Sequence, residues 1–160
     1  MVNVEEMDVH RQFMKQALRE AERAFELDEV PVGAVVVRDG VIVGRGRNMV
    51  EQLGDPTAHA EMIAVTAACE TLGRKHLDDC TLYVTLEPCP MCAGAIVLSR
   101  MKRLVFGAMD PKSGAAASLF IIPQDRRLNH FSEIIHGVEE HHASELLESF
   151  FTRLRTRGAD

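Results

Sequence analysis

The sequence predicts a three-layer α/β domain built on a mixed sheet of five strands. Three observations carry that prediction: a long helical repeat of apolar residues near the start, two β-rich runs on either side of Asp39-Gly40, and helix and strand alternating from there to the end. In the first region Phe13, Ala17, Ala21 and Phe25 recur at helical spacing, which predicts a helix over 9–26 with Asp8 as its N-cap. Pro31 and Gly33 close that region. The apolar runs 33–37 and 41–44 flank Asp39-Gly40, a strong hairpin signal. Residues 47–56 read as a polar loop. A helix is expected over 57–72, capped by Thr57, with His59, Met62, Ile63, Thr66 and Ala67 on one face. Residues 81–86 are β-branched and apolar, hence a strand. A short helix over 91–99 follows Pro88-Cys89-Pro90, at an entry where the missing proline N–H is no loss. Then come a strand over 103–107, a Gly/Ala/Ser loop over 110–117, a last strand over 132–136 and an amphipathic helix over 143–155. No repeat or low-complexity linker interrupts this order, and 160 residues suit one domain spanning 1–160.

The composition, 46% apolar and 26% charged, is that of an ordinary globular protein. No apolar run approaches the roughly 18 residues of a membrane span. Residues 1–11 are mixed and acidic, unlike a signal peptide. A cytoplasmic protein with no membrane association is expected. The net charge of −6 argues against indiscriminate nucleic-acid binding over the whole surface. It leaves room for a local basic patch, at Arg100, Lys102 and Arg103 or at Arg153, Arg155 and Arg157, although a solvated rim or helix end is the plainer reading of each. Of four cysteines, Cys69 and Cys80 stand alone and read as small apolar packing residues.

Cys89 and Cys92 are different, because His59-Ala60-Glu61 precedes them by one helix and one strand. Taken alone, His59 reads as a core or capping histidine and Glu61 as an acid favoured in a helix's first turn. Taken with the cysteine pair, they supply one imidazole and two thiols for a metal. No fourth ligand stands at a matching spacing, so one coordination position stays open, as in catalytic rather than structural zinc sites. A thioredoxin-like dithiol is the rival reading of Cys89 and Cys92, and it leaves His59 and Glu61 without a role. Helix N-termini at both places favour thiolate over thiol, and mixed sulfur and nitrogen ligation favours Zn2+. Zinc lowers the pKa of bound water from about 15.7 toward 7. The resulting hydroxide can attack an amidine-like carbon of a nucleobase and displace ammonia. Protons must then reach the exocyclic and ring nitrogens. Glu61, beside the bound water but off the metal, is placed to carry them.

His-x-Glu followed by Pro-Cys-x-x-Cys is the known signature of zinc nucleobase deaminases. The chain resembles the bacterial tRNA-specific adenosine deaminases over residues 13–155. The resemblance rests on the stretches 31–37, 55–61 and 82–95, on Asn48, on Asn129-His130 and on Phe150-Phe151. It implies a cytidine-deaminase-like α/β/α fold and hydrolysis of the wobble adenosine of tRNA to inosine. It further implies Zn2+ on His59, Cys89 and Cys92, with Glu61 as the proton shuttle. Asn48 is then expected to hydrogen-bond the flipped base, its amide offering both a donor and an acceptor; its alternative is a turn residue after the second strand. The backbone N–H of Cys89 is expected to orient the attacking oxygen. Partners implied are the tRNA anticodon loop and a second copy of the chain in a homodimer. Phe150, Arg153 and Arg155 are expected to contact the substrate, with one ring of Phe150-Phe151 inward and the other nearer the groove; core packing is the alternative for both rings. Met49, Ala117 and His141-His142 depart from the usual family pattern and leave the choice of tRNA open. His141 and His142 read as exposed helix-entry residues. Two rivals remain at this point: a deaminase of free guanine or cytosine, and a non-catalytic RNA-binding subunit. The terminal phenylalanines and arginines speak against the first, and the presence of Glu61 against the second.

Overall fold

The computed structural model describes residues 1–158. In chain order the elements are α1 (Val4–Glu26), β1 (Gly33–Arg38), β2 (Val41–Arg47), α2 (Val50–Leu53), α3 (Ala60–Leu72), β3 (Cys80–Leu86), α4 (Pro90–Leu98), β4 (Arg103–Ala108), a 3-10 turn (Ile122–Gln124), β5 (Glu133–His136) and α5 (Glu140–Gly158). One five-stranded sheet runs in the order β2-β1-β3-β4-β5. β1 is antiparallel to both β2 and β3, while β3, β4 and β5 are parallel, so the sheet is mixed as expected.

Strand periodicity sorts the core into two layers. Val35 and Val37 of β1, Tyr83 of β3 and Val105 of β4 face Met14, Ala17 and Leu18 of α1 and Ala143 of α5. Their neighbours Ala34, Val36, Leu82, Val84, Leu104 and Phe106 face Ala60, Ala64 and Ala68 of α3 and Ile96 of α4. Helices cover both faces, which is what parallel strands require. Cys69 and Cys80 pack into the second layer as small apolar residues.

Several boundaries differ from the sequence expectation, among them β2, which runs on to Arg47, and α5, which spans Glu140–Gly158. α1 starts at Val4 and is capped by Asn3, not Asp8. The Asn3 Oδ1 accepts from the Glu6 N–H at 2.9 Å, and the Glu6 carboxylate accepts from the Asn3 N–H at 3.1 Å, a complete capping box. Asp8 instead pairs with Arg11 one turn on. α3 starts at Ala60 with His59 as N-cap, because Thr57 is held in a turn by Asp55, whose Oδ1 accepts from the Thr57 N–H at 2.8 Å. The expected polar loop contains the single turn α2.

α3 reaches the sheet at unusually close range. A Cβ on Gly46 would lie 2.2 Å from the Ala60 carbonyl oxygen, and one on Gly44 would lie 2.4 Å from that of Ala64. These are backbone atoms that cannot rotate away. The two glycines therefore set how deeply the first turn of α3, with His59 and Glu61, sits against the sheet. Gly46→Ala is expected to destabilise the fold by about 1–3 kcal/mol and to lower metal content, read by denaturant titration and metal analysis.

Candidate active site

Two helix beginnings converge at one end of the sheet. His59 is the N-cap of α3 and Cys89 the N-cap of α4, both with extended backbone. Pro90 presets the first helical position of α4, and Cys92 lies buried in that first turn. The Cys89 Sγ and the Cys92 Sγ are each 3.5 Å from the His59 Nδ1. The three donor atoms all lie within 4.8 Å of one another, and among the described residues no fourth His, Cys, Asp or Glu joins the group. A tetrahedral ion with metal–sulfur bonds of about 2.3 Å and metal–nitrogen bonds of about 2.0–2.1 Å has a sulfur–nitrogen edge of about 3.6 Å. The observed spacing matches that edge, so His59, Cys89 and Cys92 can hold one metal ion through three of its four positions.

The electrostatics prepare the site for a cation. A hydrogen bond from Cys92 pulls the Cys89 thiol down to about 4, and His59 adds to that pull. The same contact with Cys89 pushes Cys92 up, and Cys89 raises His59. A metal held by His59, Cys89 and Cys92 would take both sulfurs as thiolates, so its binding would release protons. Glu61, 4% exposed, is in the first turn of α3 and is not one of the grouped donors. Burial holds its carboxyl above the usual carboxylate range, which suits a group that both takes and gives protons.

His59, Glu61 and Cys89 form one wall of a cavity of about 770 Å³, within the roughly 300–1,000 Å³ of small-molecule sites. Asn48, Leu86, Glu87, Asp110 and Phe150 also line it. Asn48 is buried at the end of β2, and its Oδ1 accepts from the Val50 N–H at 3.2 Å. It is therefore both the turn residue and the cavity residue that the sequence offered as alternatives. The Asn48 oxygen thus holds one backbone N–H, and the amide nitrogen has no protein partner among the described residues.

The C-terminal helix is placed differently from one residue to the next. Phe150 is buried against Phe25 and reaches the cavity, while Phe151 is 42% exposed and does not line it. Arg153 turns inward. Its Nη2 donates to the Phe25 carbonyl at 3.0 Å and to Asp28 at 2.9 Å, with the guanidinium over the Phe25 ring. Arg155 donates to the Thr152 hydroxyl at 3.2 Å, and neither arginine lines the cavity. Arg103 begins β4 and pairs with Glu133. It therefore lies at the end of the sheet opposite Ala108 and its partner Leu86, which lines the cavity. His141 and His142 sit exposed at the start of α5, against Glu145 and Glu22.

Sequence reasoning passed over Glu87. It is 2% exposed and gathers the backbone N–H groups of Asp110, Ala116, Ala117 and Ser118 together with the Ser118 hydroxyl. It thereby folds the 110–118 loop beside Cys89, and the Ala115 N–H donates to the Pro88 carbonyl at 2.8 Å. The available signal was an acid directly before Pro88-Cys89, matched to a loop of small residues rich in free N–H groups. Burial pulls the Glu87 carboxyl upward, but the Ser118 hydroxyl and the loop N–H groups outweigh it and hold it below the usual range. A depressed folded value means that Glu87 stabilises fully above the ordinary glutamate value of about 4.3, and that this contribution is lost as pH falls through the folded value. Glu87→Gln is expected to cost about 2 kcal/mol at neutral pH. Denaturant melts of the two proteins should converge on acidification.

This fold, carrying a His-Cys-Cys group that can hold a metal and a buried acid at one cavity, defines a class: hydrolytic deaminases of the cytidine-deaminase-like fold. The family model for MafB19-like deaminases matches residues 8–155. A tRNA-specific adenosine deaminase of Aquifex aeolicus (strain VF5) is 53% identical over 144 residues, covering 89% of this chain and 94% of the relative. The chain belongs to the tRNA-specific adenosine deaminases. A solved structure from studies of A-to-I editing by tRNA:A34 deaminases superposes with a TM-score of 0.82 at 46% identity, covering 85% of this chain and 99% of the other. A guanine deaminase from Bacillus subtilis is more distant, with a TM-score of 0.60 at 37% identity over 69% of this chain and 81% of the other.

Proposed function

We propose that this chain hydrolyses adenosine to inosine at the wobble position of a tRNA anticodon loop, as one zinc-dependent domain over 1–160. The observation that carries the reading is the meeting of His59, Cys89 and Cys92 around one point beside the buried Glu61. Two thiolates and an imidazole at tetrahedral spacing fit zinc. When bound there, zinc acts as a Lewis acid and makes water a usable nucleophile at neutral pH. Glu61 takes the proton that water gives up and delivers it to the ring nitrogen. It then passes the water's second proton to the exocyclic amine. The oxygen stays on the base carbon and ammonia leaves, so atoms and charge balance. The Asn48 amide N–H₂ donates to an acceptor atom of the base. Phe150 supplies apolar surface for its ring. An anticodon loop suits the site because its bases splay out without breaking a duplex.

The expected partner besides tRNA is a second copy of the chain. Leu98, at 80% exposure, lies on α4, and Leu119, Phe120 and Ile121 are exposed on the segment that leads into the 3-10 turn packed on that helix. Together they offer an apolar face of the kind a homodimer buries. Sedimentation should give the mass of two chains, and Phe120→Glu should shift it toward one. No described helix is long and apolar enough to cross a membrane, and the cytoplasm, where tRNA is decoded, is the proposed compartment.

The test is direct. Purified protein is incubated with an anticodon stem-loop and, separately, with guanine and cytosine. Inosine in the RNA is the expected result. Ammonia from a free base with no inosine in RNA would overturn the reading and assign the site to a free-base deaminase.

A further inference from the structure

Glu29 is 1% exposed and has no part in the proton path above. Both of its carboxylate oxygens accept backbone N–H groups: Oε1 from Glu51 at 2.9 Å and Oε2 from Gln52 at 2.8 Å. These belong to α2, a single turn directly after Asn48. The N-cap residue of α2 is Met49, which offers no capping side chain. Helix nucleation is unfavourable, so four residues do not hold a turn by themselves. The missing cap comes instead from Glu29, far back in the sequence.

Every backbone N–H from Asn48 to Leu53 has a partner. The Asn48 N–H donates to the Val32 carbonyl at 3.1 Å and the Met49 N–H to the Ala58 carbonyl at 2.9 Å. The Val50 N–H donates to the Asn48 side chain at 3.2 Å. Glu51 and Gln52 are taken by Glu29, and Leu53 donates to the Met49 carbonyl at 3.0 Å. Six consecutive N–H groups are satisfied, two of them by one carboxylate. The Val50 N–H, which fixes the Asn48 amide, belongs to the same turn that Glu29 grips. Glu29 and Asn48 both line the cavity.

We infer that Glu29 is a positioning residue for base recognition: its carboxylate holds the turn that aims the Asn48 amide N–H₂ into the cavity. The inference rests on the proposed deamination of a base that Asn48 touches. Without the carboxylate, the turn shifts, the Asn48 oxygen loses its anchor, and the amide is free to rotate or flip. Specificity follows as well. With its oxygen anchored on the Val50 N–H, Asn48 presents its amide N–H₂ to a base edge that accepts there.

A double-mutant cycle tests this, using Glu29→Gln, Asn48→Ala and the combined variant on an anticodon stem-loop, with zinc content and melting temperature measured for each. Glu29→Gln is expected to keep its zinc and lose up to about a hundredfold in kcat/KM, the scale of an ångström-sized misplacement. In the Asn48→Ala background the same change should cost nothing further, since nothing remains to be aimed. Glu29→Asp, which keeps the charge but draws it back by one methylene, should show the same coupling. A merely structural role would lower activity by the same factor in both backgrounds, and that additive result overturns the inference, as does loss of zinc in both Glu29 variants. Inosine formation by the wild-type chain separates the two claims. If it is absent, the proposed reaction fails and takes this inference with it; if it is present with an additive cycle, only the role of Glu29 falls.

Discussion

Glu61→Gln should yield a folded, metal-loaded protein that forms inosine about a thousandfold more slowly than its parent, within the range by which positioned acid–base groups accelerate proton transfer. The substitution keeps the size of the side chain and its place in the first turn of α3. What it removes is the capacity to take up a proton and give it back. The reaction needs one group that accepts a proton from water and returns protons to two nitrogens, and Glu61 is the buried acid beside the ligand group. Its carboxyl is raised by burial, so the protonated form is within reach in the course of a turnover. The measurement pairs inosine quantification with metal analysis. Loss of metal in the variant would instead make Glu61 a ligand or a structural support, and undiminished activity would remove it from the proton path.

Cys92→Ala should fail at an earlier stage. The Cys92 side chain is fully buried and its sulfur lies 3.5 Å from the His59 Nδ1. Removing it leaves two donors on two separate helices and a gap at the start of α4. Outer-shell partners of metal ligands already cost about 10–100-fold in metal affinity when mutated, so losing a ligand itself should exceed about a hundredfold. The expected protein is low in metal, inactive and loosened around the α4 entry, as read by metal analysis and hydrogen exchange of that turn. Full metal occupancy would contradict the assignment.

The sheet is legible in the sequence because its signals are local. Asp39 and Gly40 both adopt positive φ, 48° and 75°, as the two-residue hairpin turn demands, and that pair of residues announces it. The near-continuous apolar runs of β1, β3 and β4 follow from burial on both faces. The metal group is legible for a different reason: its residue types and spacing have few other uses. What stays hidden depends on partners distant in sequence. α2 is a turn that exists because Glu29 reaches it across the fold, and its own four residues do not announce a helix. Glu29 and Glu87 carry no sequence signal of their roles, since their partners are backbone N–H groups distant in the chain. Arg153 is expected from the resemblance to contact the substrate, and the end of α1 turns it inward through Asp28 and Phe25. His59 is expected on a helix face and is found at the cap. The difference matters chemically, since the cap position is where its ring can meet the sulfurs.

X-ray absorption at the zinc edge of the purified protein tests the central claim most directly. The account predicts one zinc per chain with two sulfur neighbours at about 2.3 Å and two nitrogen or oxygen neighbours at about 2.0–2.1 Å, one of the light atoms belonging to His59 and the other to solvent. A shell of four sulfurs, a shell without sulfur, or a protein that takes up no metal at His59, Cys89 and Cys92 would contradict it.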